Sequence, residues 1–102
     1  MMTDELKHIS AGIADELEGA EDYLWDAIKH KEYYPKLAEK YAEMSRQELH
    51  HAEELYDIGC SMIGSVTDEA EKSRLMDMWK WAWDMLSEKI VRIKAIEDMY
   101  KG

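Results

Sequence analysis

Apolar side chains recur along this chain at steps of three and four, and two breaks divide the pattern into three long runs. In the first, Leu6, Ile9, Ile13, Leu17, Ala20, Leu24 and Ala27 keep to one helical face. Thr3 is the expected N-cap, followed by Asp4 and Glu5, whose charges suit the positive end of a helix. The run ends near Lys31, and His30–Tyr34 reads as a tight connection. Pro35 then opens a second helix, because the N–H it lacks would be unpaired in a first turn anyway. Gly64 and Ser65 stop that helix after Ile63, and a third opens at Thr67 or Asp68 and continues to Tyr100. The predicted helices cover about 4–31, 35–63 and 68–100 of one domain spanning 1–102. No segment alternates at period two, so strands are not expected. The fold class is all-α: an antiparallel hairpin plus a third long helix.

In the second helix, Leu37, Tyr41, Met44, Glu48, His51, Leu55, Ile58 and Met62 form an unbroken 4-3-4-3 seam of the kind that faces another helix. Its two central positions are a carboxylate and an imidazole. A charge inside an apolar contact is costly unless it is paired or coordinates a metal. Glu48 and His51 have Glu-x-x-His spacing, one turn apart on one face, which suits two ligands of one ion. A second match, Glu5-Leu-Lys-His8, lies off the apolar stripe at the chain's start and is read as accidental.

The first helix adds Glu16, at an interior phase along Ile9, Ile13, Glu16, Ala20, Tyr23 and Ala27, with Tyr23 two turns on as its neighbour. Antiparallel pairing of the first two helices sets Glu16 and Glu48 at about the same height. Glu18, Glu21 and Asp22 are expected on the other side, toward solvent or a channel. A rotation of the helix by ~100° would exchange Glu16 for Glu18 as the inward carboxylate, so Glu18 is kept as an alternative ligand.

One Glu plus one Glu-x-x-His is half of a di-metal carboxylate site, which draws on four helices. The third helix has no histidine and cannot complete it. A two-fold homodimer can, by repeating each ligand across the axis. Carboxylate-rich ligation with imidazole suits iron, or manganese, more than zinc or copper. The third helix carries two adjacent apolar stripes. One is Leu75, Trp79, Ala82, Leu86, Ile93 and Tyr100, and the other is Met78, Trp81 and Met85, which points to burial against its own chain and against a second one.

Composition narrows the partners. Thirteen Lys and Arg against 23 Asp and Glu give a net charge of -10, which repels phosphate backbones and anionic headgroups, so neither nucleic acid nor a membrane surface is expected as a partner. No apolar run approaches a membrane span, and the start of the chain lacks a signal-peptide pattern. Cys60 is a lone cysteine and excludes an internal disulfide. A soluble, cytoplasmic protein is the expectation.

These residues resemble the ferritin-like superfamily. Glu48-Leu-His-His51-Ala52 is similar to the E-x-x-H-A of rubrerythrins and ferritins, and Glu16, Gly19 and Tyr23 are similar to that family's first-helix pattern of Glu, a small residue at +3 and Tyr at +7. The likeness is closest to half-length ferritin-like proteins, including encapsulated ferritins, which also carry one motif set per chain. The resemblance implies Glu16, Glu48 and His51 as iron ligands, Tyr23 just behind them, and Fe(II) binding and oxidation with oxygen or peroxide, a ferroxidase-type oxidoreductase activity. It implies a di-iron site shared between two chains of a homodimer or higher homo-oligomer, paired into a ferritin-like four-helix bundle. Met99-Tyr100-Lys101-Gly102 does not resemble an encapsulin-targeting tail, and there is no Cys-x-x-Cys pair for a rubredoxin-type centre. The alternatives are a non-catalytic structural or adaptor oligomer, in which Glu48 and His51 pair with each other or with a lysine, and a cation store without redox.

Overall fold

The computed structural model describes residues 2–102 and contains three α-helices: α1 (Met2–His30), α2 (Pro35–Gly64) and α3 (Glu69–Lys101). No strand occurs among the described residues. The Asp68 side chain caps α3 by accepting from the Glu71 N–H, and Pro35 occupies the first turn of α2. Thr3, expected as the N-cap of α1, lies inside that helix; its hydroxyl instead accepts a hydrogen bond from Arg74 at 3.2 Å. None of the helices is long and apolar enough to cross a membrane.

α1 and α2 form the antiparallel hairpin. Its register is fixed in the core by the Ser45 hydroxyl, which donates to the Ala20 carbonyl at 2.6 Å. The buried residues of α1 are Leu6, Ser10, Ile13, Leu17, Ala20, Leu24 and Ala27, the expected stripe except that Ser10 is buried and Ile9 only partly so. α3 buries Leu75, Trp79, Ala82, Leu86, Ile93 and Ile96, with Tyr100 at the margin.

The interior of α2 differs from expectation. Its buried positions are Ala38, Ala42, Ser45, Ala52, Gly59 and Ile63, one residue later than the seam of large side chains. Helices approach most closely where side chains are small, and a rotation of ~100° places Ala, Ser and Gly against the neighbours. Gly59 shows the closeness: a Cβ there would lie 2.2 Å from the Trp79 ring of α3. Tyr56 stacks on that same indole, with centroids 5.7 Å apart, and also meets Trp83. Burial there, aided by the Cys60 thiol, pushes the Tyr56 phenol up to about 12.

α3 lies along one side of the hairpin and is tied to it by Glu21. That carboxylate lies on the side away from Glu16, in the cleft beside α3, where it accepts from Lys89 Nζ at 2.9 Å and from Arg92 Nε at 2.7 Å. Among the described residues, no helix covers the other side of the hairpin. The large seam of α2 is there, with Leu37 and Ile58 exposed and Tyr41, Met44, Leu55 and Met62 half-buried. The molecule is therefore a long slab, 57 × 19 × 15 Å, with one broad face left open.

Candidate metal centre

The open face carries its chemistry at mid-length. α1 supplies Glu16 and α2 supplies Glu48 and His51, and one ligand-type atom from each lies within 4.8 Å of the other two. Two donors of one ion sit no farther apart than about twice a bond of 2.0–2.3 Å, so this spacing is close to what one ion spans. Gly19 makes the room: a Cβ at that position would sit 3.1 Å from Glu48 Oε2.

The electrostatics leave this group short of positive charge. Among the described residues, Glu16 Oε2 is buried without a hydrogen-bond donor, and its nearest basic atom is His51 Nδ1 at 3.5 Å, too long for a good hydrogen bond. The neighbouring Glu16 carboxyl is the main cause that holds the Glu48 carboxyl above its ordinary range, and burial adds to it; the His51 ring acts in the opposite direction. Two carboxyls placed together require a shared proton or a cation between them. Lys89 and Arg92 are committed to Glu21 on the far side of α1. An oxygen–oxygen–nitrogen donor set with an orphaned buried oxygen fits a divalent first-row metal such as iron. Carboxylates without an ion would instead need protonation.

The remaining residues singled out in the sequence fall elsewhere. Glu18 is exposed and lines the cleft between α1 and α3 with Glu21 and Asp22, away from the three-residue group. Tyr23 is on the open face but its ring stacks on Tyr41 of α2, with centroids 6.1 Å apart and planes at 21°; no hydrogen bond joins it to the carboxylates among the described residues. His8 is exposed, and exposed His50 lies 3.6 Å from Glu54. His30, at the end of α1, is half-buried and packs against Tyr41 and Tyr34. Tyr34 and Tyr41 both follow the hairpin turn, so only the folded turn brings them to His30.

Comparison with curated proteins finds no match, and neither does comparison with solved structures. The family comparison does: the rubrerythrin family matches residues 7–100. That span includes Glu16, Glu48 and His51 and all but the ends of the three helices, and on it the chain belongs to the rubrerythrin family, within the ferritin-like superfamily.

Proposed function

We propose that this chain is a single ferritin-like domain that pairs with a second copy through its open face, and that the pair binds and oxidises ferrous iron. Each copy would supply Glu16, Glu48 and His51, giving four carboxylates and two imidazoles for two ions, in a ferritin-like four-helix bundle built from two hairpins. The observation that carries this reading is the orphaned Glu16 Oε2 inside a three-donor cluster, set in a face of exposed and half-buried apolar side chains. A lone chain leaves that face wet; a second copy covers it and doubles the donor set.

The chemistry of the bound metal is one-electron oxidation: two ferrous ions each give up one electron, and oxygen or peroxide accepts the two. The protein contributes hard anionic oxygen, which favours the ferric product. Glu16 and Glu48 bring negative charge that an ion can neutralise. His51 would add a nitrogen donor, and its exposure on the single chain accords with a position at the rim of such a pairing. Gly19 keeps the space in which the Glu48 carboxylate turns. The net charge of -10 disfavours nucleic acid and anionic membrane surfaces as partners; a cytoplasmic location is part of the same proposal.

Anaerobic titration with Fe(II), followed by admission of oxygen, tests the reading through near-ultraviolet absorbance and through sedimentation of the metal-loaded protein. The wild type should bind two ions per pair of chains and oxidise them promptly, and Glu48→Ala should do neither. Equal, slow oxidation without stoichiometry in both proteins would leave a structural oligomer in which Glu16 and His51 merely pair.

A further inference from the structure

The side of α1 turned away from the metal cluster carries a groove, walled by α1 and α3, that nothing among the described residues fills. Trp81 of α3 stands in it as a ridge, 60% exposed, with a cavity on either side. The smaller, about 200 Å³, lies beside Leu6, Lys7 and Met78. The larger, about 630 Å³, is lined beyond Trp81 by Met85, Glu88, Lys89 and Arg92. Tryptophan and arginine dominate the energy of protein contacts, and a cation is drawn to the face of an indole. The groove therefore holds both an anchor and a socket that suits it.

Charge selects what docks there. α3 carries seven Asp and Glu against seven Lys and Arg, so the whole net charge of -10 lies on residues 1–68. Copies that approach by their hairpins repel, whereas α3 presents no net charge to another α3. Charge is also separated along the groove. Exposed Lys7 stands on α1 at the Met78 end, and exposed Asp22 at the Lys89 end. A second copy laid antiparallel brings Lys7 of each chain to Asp22 of the other, and Trp81 of each to the socket of the other.

We propose that the α1–α3 groove is a self-complementary docking surface for a second copy of this chain, held by Trp81 in the partner's socket and by Lys7 against the partner's Asp22. A single two-fold axis serves both pairings. The point midway between Trp81 and the socket around Glu88 falls near Met85, and the point midway between Lys7 and Asp22 falls near Ala14. Ala14 and Met85 line one cavity, so the two midpoints coincide in space. The area suffices as well: the slab is 57 Å long and 15 Å across its thinnest dimension, enough for the roughly 800 Å² per partner of a standard interface. This surface lies on the opposite side of α1 from the open face and asks nothing of a metal. Each chain then has two faces for its own kind, and pairs formed through one are joined through the other.

Sedimentation of the full, metal-free chain over a range of concentrations and salt tests the proposal, with circular dichroism as the check on folding. Trp81→Glu alters an exposed side chain and should halve the number of chains per particle while the helices persist. Lys7→Glu should weaken the association at low salt, and Lys7→Glu combined with Asp22→Lys should restore it, which no loss of folding can imitate. Added salt should loosen the wild type and the swapped double variant alike. A particle mass unchanged in Trp81→Glu, or a charge swap that fails to restore what Lys7→Glu removes, would overturn the docking surface. So would a wild type no larger than Trp81→Glu at every concentration, which would leave the groove to a different molecule.

Discussion

The two sides of the α1–α2 hairpin treat carboxylates in opposite ways. On the side that α3 covers, Glu21 is held by Lys89 and Arg92, with the Trp25 indole N–H at 3.4 Å. Arg92 foremost, then Lys89, holds its carboxyl down at about 2. On the open side, Glu16 and Glu48 face each other with only His51 nearby, and Glu48 is displaced upward. The covered side satisfies its acid within the chain and so has a structural task. The open side leaves charge to be met from outside, which is where binding chemistry belongs.

Two glycines make the sharpest form of this contrast. Gly59→Ala puts a Cβ into a rigid indole, and overpacking should outweigh the better helix propensity of alanine, for a net loss of about 1–3 kcal/mol in denaturant unfolding. Next in size is Glu21→Gln, expected to cost about 1–2 kcal/mol, between the worth of an exposed ion pair and that of a charge-assisted hydrogen bond.

The same two acids predict opposite responses to pH. Glu21 has a folded pKa below its ordinary value near 4.5, so its stabilisation is complete above that value and fades as pH falls toward about 2. Glu21→Gln should flatten the acid limb of a melting-temperature profile. Glu48 is displaced the other way, so the metal-free protein should lose stability as pH rises above its ordinary range, a slope that Glu48→Gln removes.

Smaller effects refine the picture. Ser45→Ala deletes the buried bond to the Ala20 carbonyl and should lower stability by about 1 kcal/mol in the same unfolding assay. Gly19→Ala should be the mildest for folding, with a gain of up to about 1 kcal/mol from helix propensity, since the flexible Glu48 carboxylate can give way. Its effect should appear in calorimetric Fe(II) titration as weakened binding. A loss of stability in Gly19→Ala as large as in Gly59→Ala would erase the distinction between the two sides.

The helices and their punctuation were legible because Pro35, Gly64 and Asp68 act locally. The grouping of Glu16, Glu48 and His51 followed from phase and antiparallel register, both of which are simple geometry. The interior phase of α2 was misread because hydrophobicity ranks Leu37, Met44 and Ile58 above Ala38, Ser45 and Gly59, whereas close helix packing selects for small size. Both seams have the same period, so periodicity alone could not choose between them. Glu21 went unrecognised as a tie because its cations lie 68 and 71 residues away. Thr3 had the chemistry of a cap, but the helix begins before it and gives its hydroxyl to Arg74.

The seat of Trp79 has an optical consequence. Of the four tryptophans, Trp25, Trp81 and Trp83 are substantially exposed, while Trp79 is 2% exposed, wedged over Gly59 and beneath Tyr56. Detachment of α3 would release that indole into water while the hairpin stayed closed. A red shift in fluorescence that precedes the loss of helical signal on heating would therefore reveal the third helix leaving as a unit of its own.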